Sequence, residues 1–298
     1  LRRQSIDANH VAPLRRLLAM PGLRPVDTAF AGFALHKELD DLGDHDGAWQ
    51  ALQRACAAKR GTLKYASDDS RALIDALIAM PIATDAQAAP VDGKTPVFIV
   101  GMHRSGTTLL EQLLDGSPQV RGVGELYDFT SAMRYATDHH CKGVIDATIV
   151  QRAADVDFAE VGRRYLDGMA WRLGDESCFT DKLPSNFLNI DFICRALPQA
   201  RILHMGRDPL ETCFSNLREL FSDANPYSYD QSELADYFLQ YRRLMAHWHA
   251  AWPGRILDVD YADLTRDPEA VMRKVAAFCG IEYIDAMRDP RSSTRVVA

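Results

Sequence analysis

Residues 96–114, P-V-F-I-V-G-M-H-R-S-G-T-T-L-L-E-Q-L-L, constrain the fold of this 298-residue chain more than any other stretch. The apolar, β-branched run Val97–Val100 feeds a turn bounded by Gly101 and Gly106, and Leu109, Leu110, Leu113 and Leu114 then recur at helical spacing. The segment reads as strand, tight loop, helix. In that geometry the loop amides and the first N–H groups of the helix converge on one point, where an anion gains hydrogen bonds and the positive end of the helix dipole. The turn is predicted to be a phosphate cradle.

Its spacing is that of a Walker A loop, G-x-x-x-x-G-K-[ST], with one departure. Thr107 stands where a nucleoside triphosphatase carries the lysine that reaches the β- and γ-phosphates, and a cation appears inside the loop as Arg104. The pattern therefore suits an anion other than a triphosphate. A glycine-containing strand-to-helix turn with a capping Ser or Thr and no ligand is the plainer alternative.

Further along, Ser177–Asp181 reads as a strand, and Phe187, Ile190, Ile193, Cys194 and Leu197 mark a helix that Pro198 halts. Arg201–Met205 is the next strand, followed directly by Gly206-Arg207-Asp208-Pro209 and another helix. A long amphipathic helix over 229–252 precedes a third strand, Ile256–Val259, and a helix from Asp267 to Gly280. Strand and helix alternating at this spacing predict βαβ units, a parallel sheet and ligands at the carboxyl ends of its strands. Arg207 would then lie at such an end, with Ser215 two turns into the next helix. That guanidinium and hydroxyl can hold a second phosphate at about 1.5–3 kcal/mol per charge-assisted hydrogen bond. An ion pair of Arg207 with Asp208 or Glu211 is the alternative.

Before residue 80 the pattern is purely helical. Ala31, Leu35, Leu39 and Leu42 form a stripe that stops at Gly43, and Ala48, Leu52 and Ala55 resume it. These match the small and large positions by which helices of a tetratricopeptide repeat pack, although an ordinary helical hairpin fits equally. Residues 81–95, with prolines, a glycine and no period, read as a linker. The expected architecture is α/β: a P-loop-type parallel sheet flanked by helices over 93–298, after a small all-helical, tetratricopeptide-like region over 1–85.

A net charge of −7 argues against nucleic acid as partner, since phosphate-backbone binding needs a broad basic face. Six cysteines without a C-x-x-C pair indicate neither a disulfide framework nor a zinc site, and buried thiols in a reducing compartment are expected. No stretch approaches the ~18 apolar residues of a membrane span and no signal peptide is visible, so the expected location is the cytoplasm. The chain opens at Leu1 rather than Met, which leaves room for an upstream segment.

The segment F-I-V-G-M-H-R-S-G-T-T-L-L-E-Q-L-L resembles the 5′-phosphosulfate loop of sulfotransferases that use 3′-phosphoadenosine 5′-phosphosulfate (PAPS). The likeness is to the tyrosylprotein-sulfotransferase-like branch and its bacterial relatives with N-terminal tetratricopeptide repeats, and it covers about residues 93–297. It implies that Arg104, Ser105, Gly106, Thr107 and Thr108 hold the 5′-phosphosulfate, and that Arg207 and Ser215 hold the 3′-phosphate. Arg218 is a further basic candidate, although relatives place that residue one position later, at Glu219 here.

The resemblance puts the base that deprotonates the acceptor hydroxyl at Glu125, and at Lys182, in D-K-L-P, the ammonium that meets charge growing on the leaving phosphate. Tyr261, in Y-A-D-L-T-R-D-P, resembles a tyrosine that approaches the nucleotide. Helix-start Glu, surface Lys and core Tyr are the plainer readings of those three. His103 is set aside, because a side chain in such a loop commonly points away from the anion. Relatives also carry a T-A-S-like segment that closes over PAPS, and this sequence stops about where it should begin, at Arg295–Ala298. The expected ligand set is thus incomplete here.

The function implied is in-line transfer of a sulfuryl group from PAPS, without a metal, to a hydroxyl of a small molecule, a glycan or a peptide tyrosine. The helical region offers a surface for a protein partner. A P-loop small-molecule kinase and a catalytically inactive repeat-containing binding module are the alternatives.

Overall fold

A computed structural model describes residues 3–82 and 93–292. Most of the predicted linker over 81–95, and the end of the charged tail over 293–298, lie outside the described residues. Packing divides the chain into two units, Leu1–Ser70 with Cys213–Leu239, and Arg71–Thr212 with Gln240–Ala298.

The first unit opens with helices α1 (Val11–Leu18), α2 (Pro25–Asp41) and α3 (His45–Arg60). Pro25 starts α2 where its missing N–H has no helical role, and Gly43, at φ +81°, turns the chain after it. The Asp44 carboxylate accepts the Gly47 amide at 2.9 Å and caps α3. Ala31, Leu35 and Leu39 of α2 and Ala48 and Ala51 of α3 share one buried core, so the predicted stripe is the seam of a helical hairpin. At Gly32 the helices nearly touch: a Cβ there would lie 2.7 Å from the Ala55 Cβ. Later residues join the same unit, with the Phe33 ring edge-on to Tyr229 at 6.1 Å and Arg60 bridging both oxygens of Glu233 at 2.7 and 2.8 Å.

The second unit is built on five parallel strands, β1 (Thr95–Gly101), β2 (Val120–Gly122), β3 (Cys178–Asp181), β4 (Arg201–Gly206) and β5 (Ile256–Asp260), in the order β2-β3-β1-β4-β5. Every residue of β1 after Thr95 is buried, as befits the central strand of a sheet covered on both faces. Helix α4 (Ser67–Ala79) precedes the sheet. After it come α5 (Thr107–Leu114), α6 (Asp128–Ala136), α7 (Ala147–Arg152), α8 (Phe158–Met169), α9 (Ile190–Ala196) and α10 (Pro209–Leu217). The chain continues through α11 (Gln231–Ala251), α12 (Tyr261–Arg266) and α13 (Pro268–Cys279).

On one face Leu110, Leu113 and Leu114 of α5 pack with Met272 and Val275 of α13. On the other, the rings of Phe98, Phe129, Tyr165 and Phe179 meet at 5.6–6.1 Å. The α/β architecture predicted from the sequence is therefore the observed one.

Register aligns the strand ends. Gly101 pairs with Met205, Phe98 with Asp181, and Gly122 with Thr180, so the residues after β1, β2, β3 and β4 emerge along one edge of the sheet. The six cysteines are free thiols, and burial pushes those of Cys56, Cys194 and Cys279 up to about 12. Among the described residues no helix is long and apolar enough to cross a membrane.

The tight seam at Gly32 makes a prediction. Gly32→Val overpacks the hairpin and lowers stability by about 1–3 kcal/mol, read as a lower melting temperature by circular dichroism. An unchanged melt would show that the helices separate freely there.

Candidate active site

The turn after β1 has a backbone that few sequences could adopt. Arg104 (φ +66°) and Gly106 (φ +107°) both lie in the left-handed region, which an L side chain enters only against a steric penalty. Gly101 cannot carry a side chain, because a Cβ would stand 2.6 Å from the Met205 carbonyl of the neighbouring strand. At Gly106 a Cβ would fall 2.4 Å from the Tyr261 ring.

The loop thus delivers its amides to the start of α5, whose first turn contains no acidic residue and no side-chain cap. The Ser105 hydroxyl is buried and has no hydrogen-bond partner. An orphaned donor beside unspent helix N–H groups is a place where an incoming anion gains bonds without displacing any.

Arg207 follows β4, the strand beside β1, and turns toward this loop rather than into solvent. Its Nη1 donates to the Arg104 carbonyl at 3.4 Å, its guanidinium carbon lies 4.5 Å from the Tyr261 ring centre, and its Nε donates to Glu211 at 2.8 Å. The ion pair with Glu211 anticipated as the plainer reading is present, together with the contact to the loop. Tyr261, at the start of α12, lies against Gly106 and under Arg207, so its ring supports the guanidinium beside the loop.

Glu125 and Lys182 come together although 57 residues separate them, with the Lys182 Nζ donating to Glu125 Oε1 at 2.6 Å. The ammonium is nearly buried and the carboxylate half exposed, at 8% and 53% side-chain exposure, so an incoming solute meets the carboxylate first. Their backbones are joined as well, the Lys182 amide donating to the Gly124 carbonyl at 3.0 Å.

Behind them lies Glu111, a buried residue of α5 that sequence reasoning did not single out. Its Oε1 accepts both the Gly124 amide and the Thr180 hydroxyl at 2.8 Å. The helix that starts at the cradle thereby fixes the turn before Glu125 and the strand before Lys182. An interior Glu on an otherwise apolar stripe was the available signal.

His103 lies in the loop, between Met102 and Arg104. Burial drives its imidazole down to about 4, and the charges of Glu125 and Lys182 both act on it, so it is neutral near pH 7. Asp181, next to Lys182, is fully buried. It accepts the Tyr165 hydroxyl at 3.0 Å, and burial raises its carboxyl to about 8.

The loop residues Arg104, Ser105, Gly106, Thr107 and Thr108, with Arg207, Tyr261, Glu125 and Lys182, all belong to the second unit. Ser215 lies on α10 in the part of the chain that groups with the first unit, so its partnership with Arg207 stays a sequence-based expectation.

Two predictions follow from the buried carboxyls. Glu111→Leu strands the Gly124 amide and the Thr180 hydroxyl, at about 1–3 kcal/mol for each group, and should lower the melting temperature. Retention of the parental melt would show that neither bond matters. Asp181 binds its proton more tightly folded than unfolded, so stability is lost as pH rises from about 4 toward 8, and Asp181→Asn should remove that slope in melts across this range. Parallel curves for variant and parent would contradict the assignment.

The profile of the Sulfotransferase family matches residues 96–285. An uncharacterized protein of Aquifex aeolicus is 29% identical over 295 residues, covering 95% of this chain and 39% of that protein. The protein-tyrosine sulfotransferase of Drosophila melanogaster is 24% identical over 238 residues, covering 75% of this chain and 43% of its own length. The chain thus spans about two fifths of either relative. Among solved structures, the sulfotransferase domain from the curacin biosynthetic pathway aligns with 68% of this chain and 78% of its own at 16% identity and a TM-score of 0.48. Matched over more than half its length by the family profile, on the segment that carries the cradle and both acid–base candidates, the chain belongs to the sulfotransferase family.

Proposed function

We propose that this chain transfers a sulfuryl group from PAPS to the hydroxyl of an acceptor by in-line displacement. The observation that supports the reading is the reach of Arg207 from the end of β4 to the loop at the end of β1, which sets a guanidinium beside that loop on the adjacent strand. The residues present fit such a donor. Ser105 brings a buried hydroxyl with no partner, and the two glycines let the turn lie close against Met205 and Tyr261.

In this reading Ser105, Thr107 and Thr108, with the amides of 104–108, hold the 5′-phosphosulfate, and Arg207 holds the 3′-phosphate. Tyr261 keeps the guanidinium in place. PAPS when bound supplies an activated sulfuryl group on a phosphate leaving group. Lys182 then has a second partner for its ammonium, the oxygen on which charge accumulates as the S–O bond breaks, and favours the transition state over the ground state. As Lys182 turns to that oxygen, Glu125 Oε1 is released to take the acceptor's proton. The neutral His103 adds no charge to the pair. No residue here supplies a Walker lysine, and the smaller charge on a sulfuryl group lessens the call for a divalent ion.

The acceptor is proposed as a small-molecule, glycan or peptide hydroxyl. The name of the Drosophila relative makes tyrosine one acceptor to test. The helical hairpin of the first unit is proposed as a tetratricopeptide-like surface for a protein partner, and the cytoplasm as the location.

The reading is tested by transfer of labelled sulfate from PAPS across phenols, sugars and tyrosine peptides, with calorimetry of adenosine 3′,5′-bisphosphate. Lys182→Ala and Glu125→Gln should each lower turnover by about 10²–10⁴-fold while binding persists. Arg207→Ala should weaken bisphosphate binding about 10- to 100-fold. Turnover of ATP with Mg²⁺ and no affinity for the bisphosphate would overturn the proposal in favour of a kinase.

A further inference from the structure

On the face of β4 opposite Met205, three side chains with metal-binding atoms meet at one point. His204 of β4 and Asp258 of β5 are paired in register, so their side chains leave the sheet side by side. His249, in the last turn of α11, closes on the same carboxylate. Asp258 Oδ1 lies 2.6 Å from His204 Nδ1 and 3.0 Å from His249 Nε2, and one donor atom from each of the three falls within 4.8 Å of the others.

We propose that His204, His249 and Asp258 form a binding site for a divalent transition-metal ion of the zinc class. Two imidazoles with one carboxylate suit zinc and its neighbours, whereas calcium and magnesium favour all-oxygen sets. Metal–ligand bonds of about 2.0–2.2 Å in a tetrahedron place donor atoms roughly 3.3–3.6 Å apart, so the Asp258 carboxylate must draw back from each imidazole by about 1 Å or less to admit the ion. Asp258 can supply that movement, because its side chain is 64% exposed.

A second observation points the same way. The other ring nitrogen of His204, Nε2, is hydrogen-bonded to the hydroxyl of the buried Tyr241, which leaves Nδ1 as the nitrogen turned to the ligand position. Outer partners of this kind fix the tautomer and orientation of a ligating imidazole. The exposed side of Asp258 and His249 leaves a fourth position for water.

The residues come from three elements and are separated by 45 and 9 positions in the chain, with no local motif, which is why the sequence indicated no metal. The site uses none of the groups assigned to the nucleotide, so it stands or falls apart from the transferase reading. Without a metal, Asp258 is simply a hydrogen-bonded bridge between two histidines, and that is the competing outcome.

The test is titration of the metal-free chain with Zn²⁺ by calorimetry and with Co²⁺ by visible spectroscopy. One ion per chain, visible bands of tetrahedral Co²⁺ and a raised melting temperature with Zn²⁺ are expected. His249→Ala and Asp258→Asn should each abolish all three, and Tyr241→Phe should weaken binding about 10- to 100-fold. Asn at 258 keeps an acceptor for the imidazoles, and a parental circular dichroism spectrum would show that a lost ion is not a lost fold. Absence of binding by the parent chain, or binding that both ligand variants retain, would overturn the site.

Discussion

One buried carboxylate holds the candidate site together. Glu111 stands a single helical turn past the cradle and spends one oxygen on the Gly124 amide and the Thr180 hydroxyl. A carboxylate taken out of water must recover its hydrogen bonds from the protein, and it recovers them from the two segments that lead to Glu125 and Lys182. Helix α5 is thereby joined by buried bonds to the two segments that carry Glu125 and Lys182.

The second constraint is steric. A left-handed Arg104 and Gly106 and a side-chain-free Gly101 let the loop pass close under Tyr261 and against the Met205 carbonyl. That closeness allows Arg207, rising from the adjacent strand, to reach the loop carbonyl while stacked on the tyrosine ring. Glu211 balances the guanidinium at 2.8 Å, so a stable resting arrangement exists before any anion arrives. The Glu211 carboxylate is partly exposed, so water already screens that pair.

Much of this was legible in residue order because it rests on local pattern. The apolar run before Gly101, the leucine period after Gly106 and the strand before Arg207 each carry their own periodicity, and the parallel sheet follows from their alternation. The hairpin seam at Ala31, Leu35 and Leu39 was legible for the same reason.

What the order of residues hid is contact between distant elements. Glu111 stands out in the sequence only as an acid on an apolar helix, and the fold alone supplies its partner, Thr180. The meeting of His204, His249 and Asp258 depends on strand register and a helix end, which no short motif encodes.

The central claim is that the loop after β1 and the arginine after β4 hold the two ends of one nucleotide. A crystal structure of the chain with adenosine 3′,5′-bisphosphate tests it most directly. The account predicts the 5′-phosphate on the amides of 104–108 and the 3′-phosphate on Arg207. A bisphosphate seated elsewhere, with Arg207 still committed to Glu211, would contradict it.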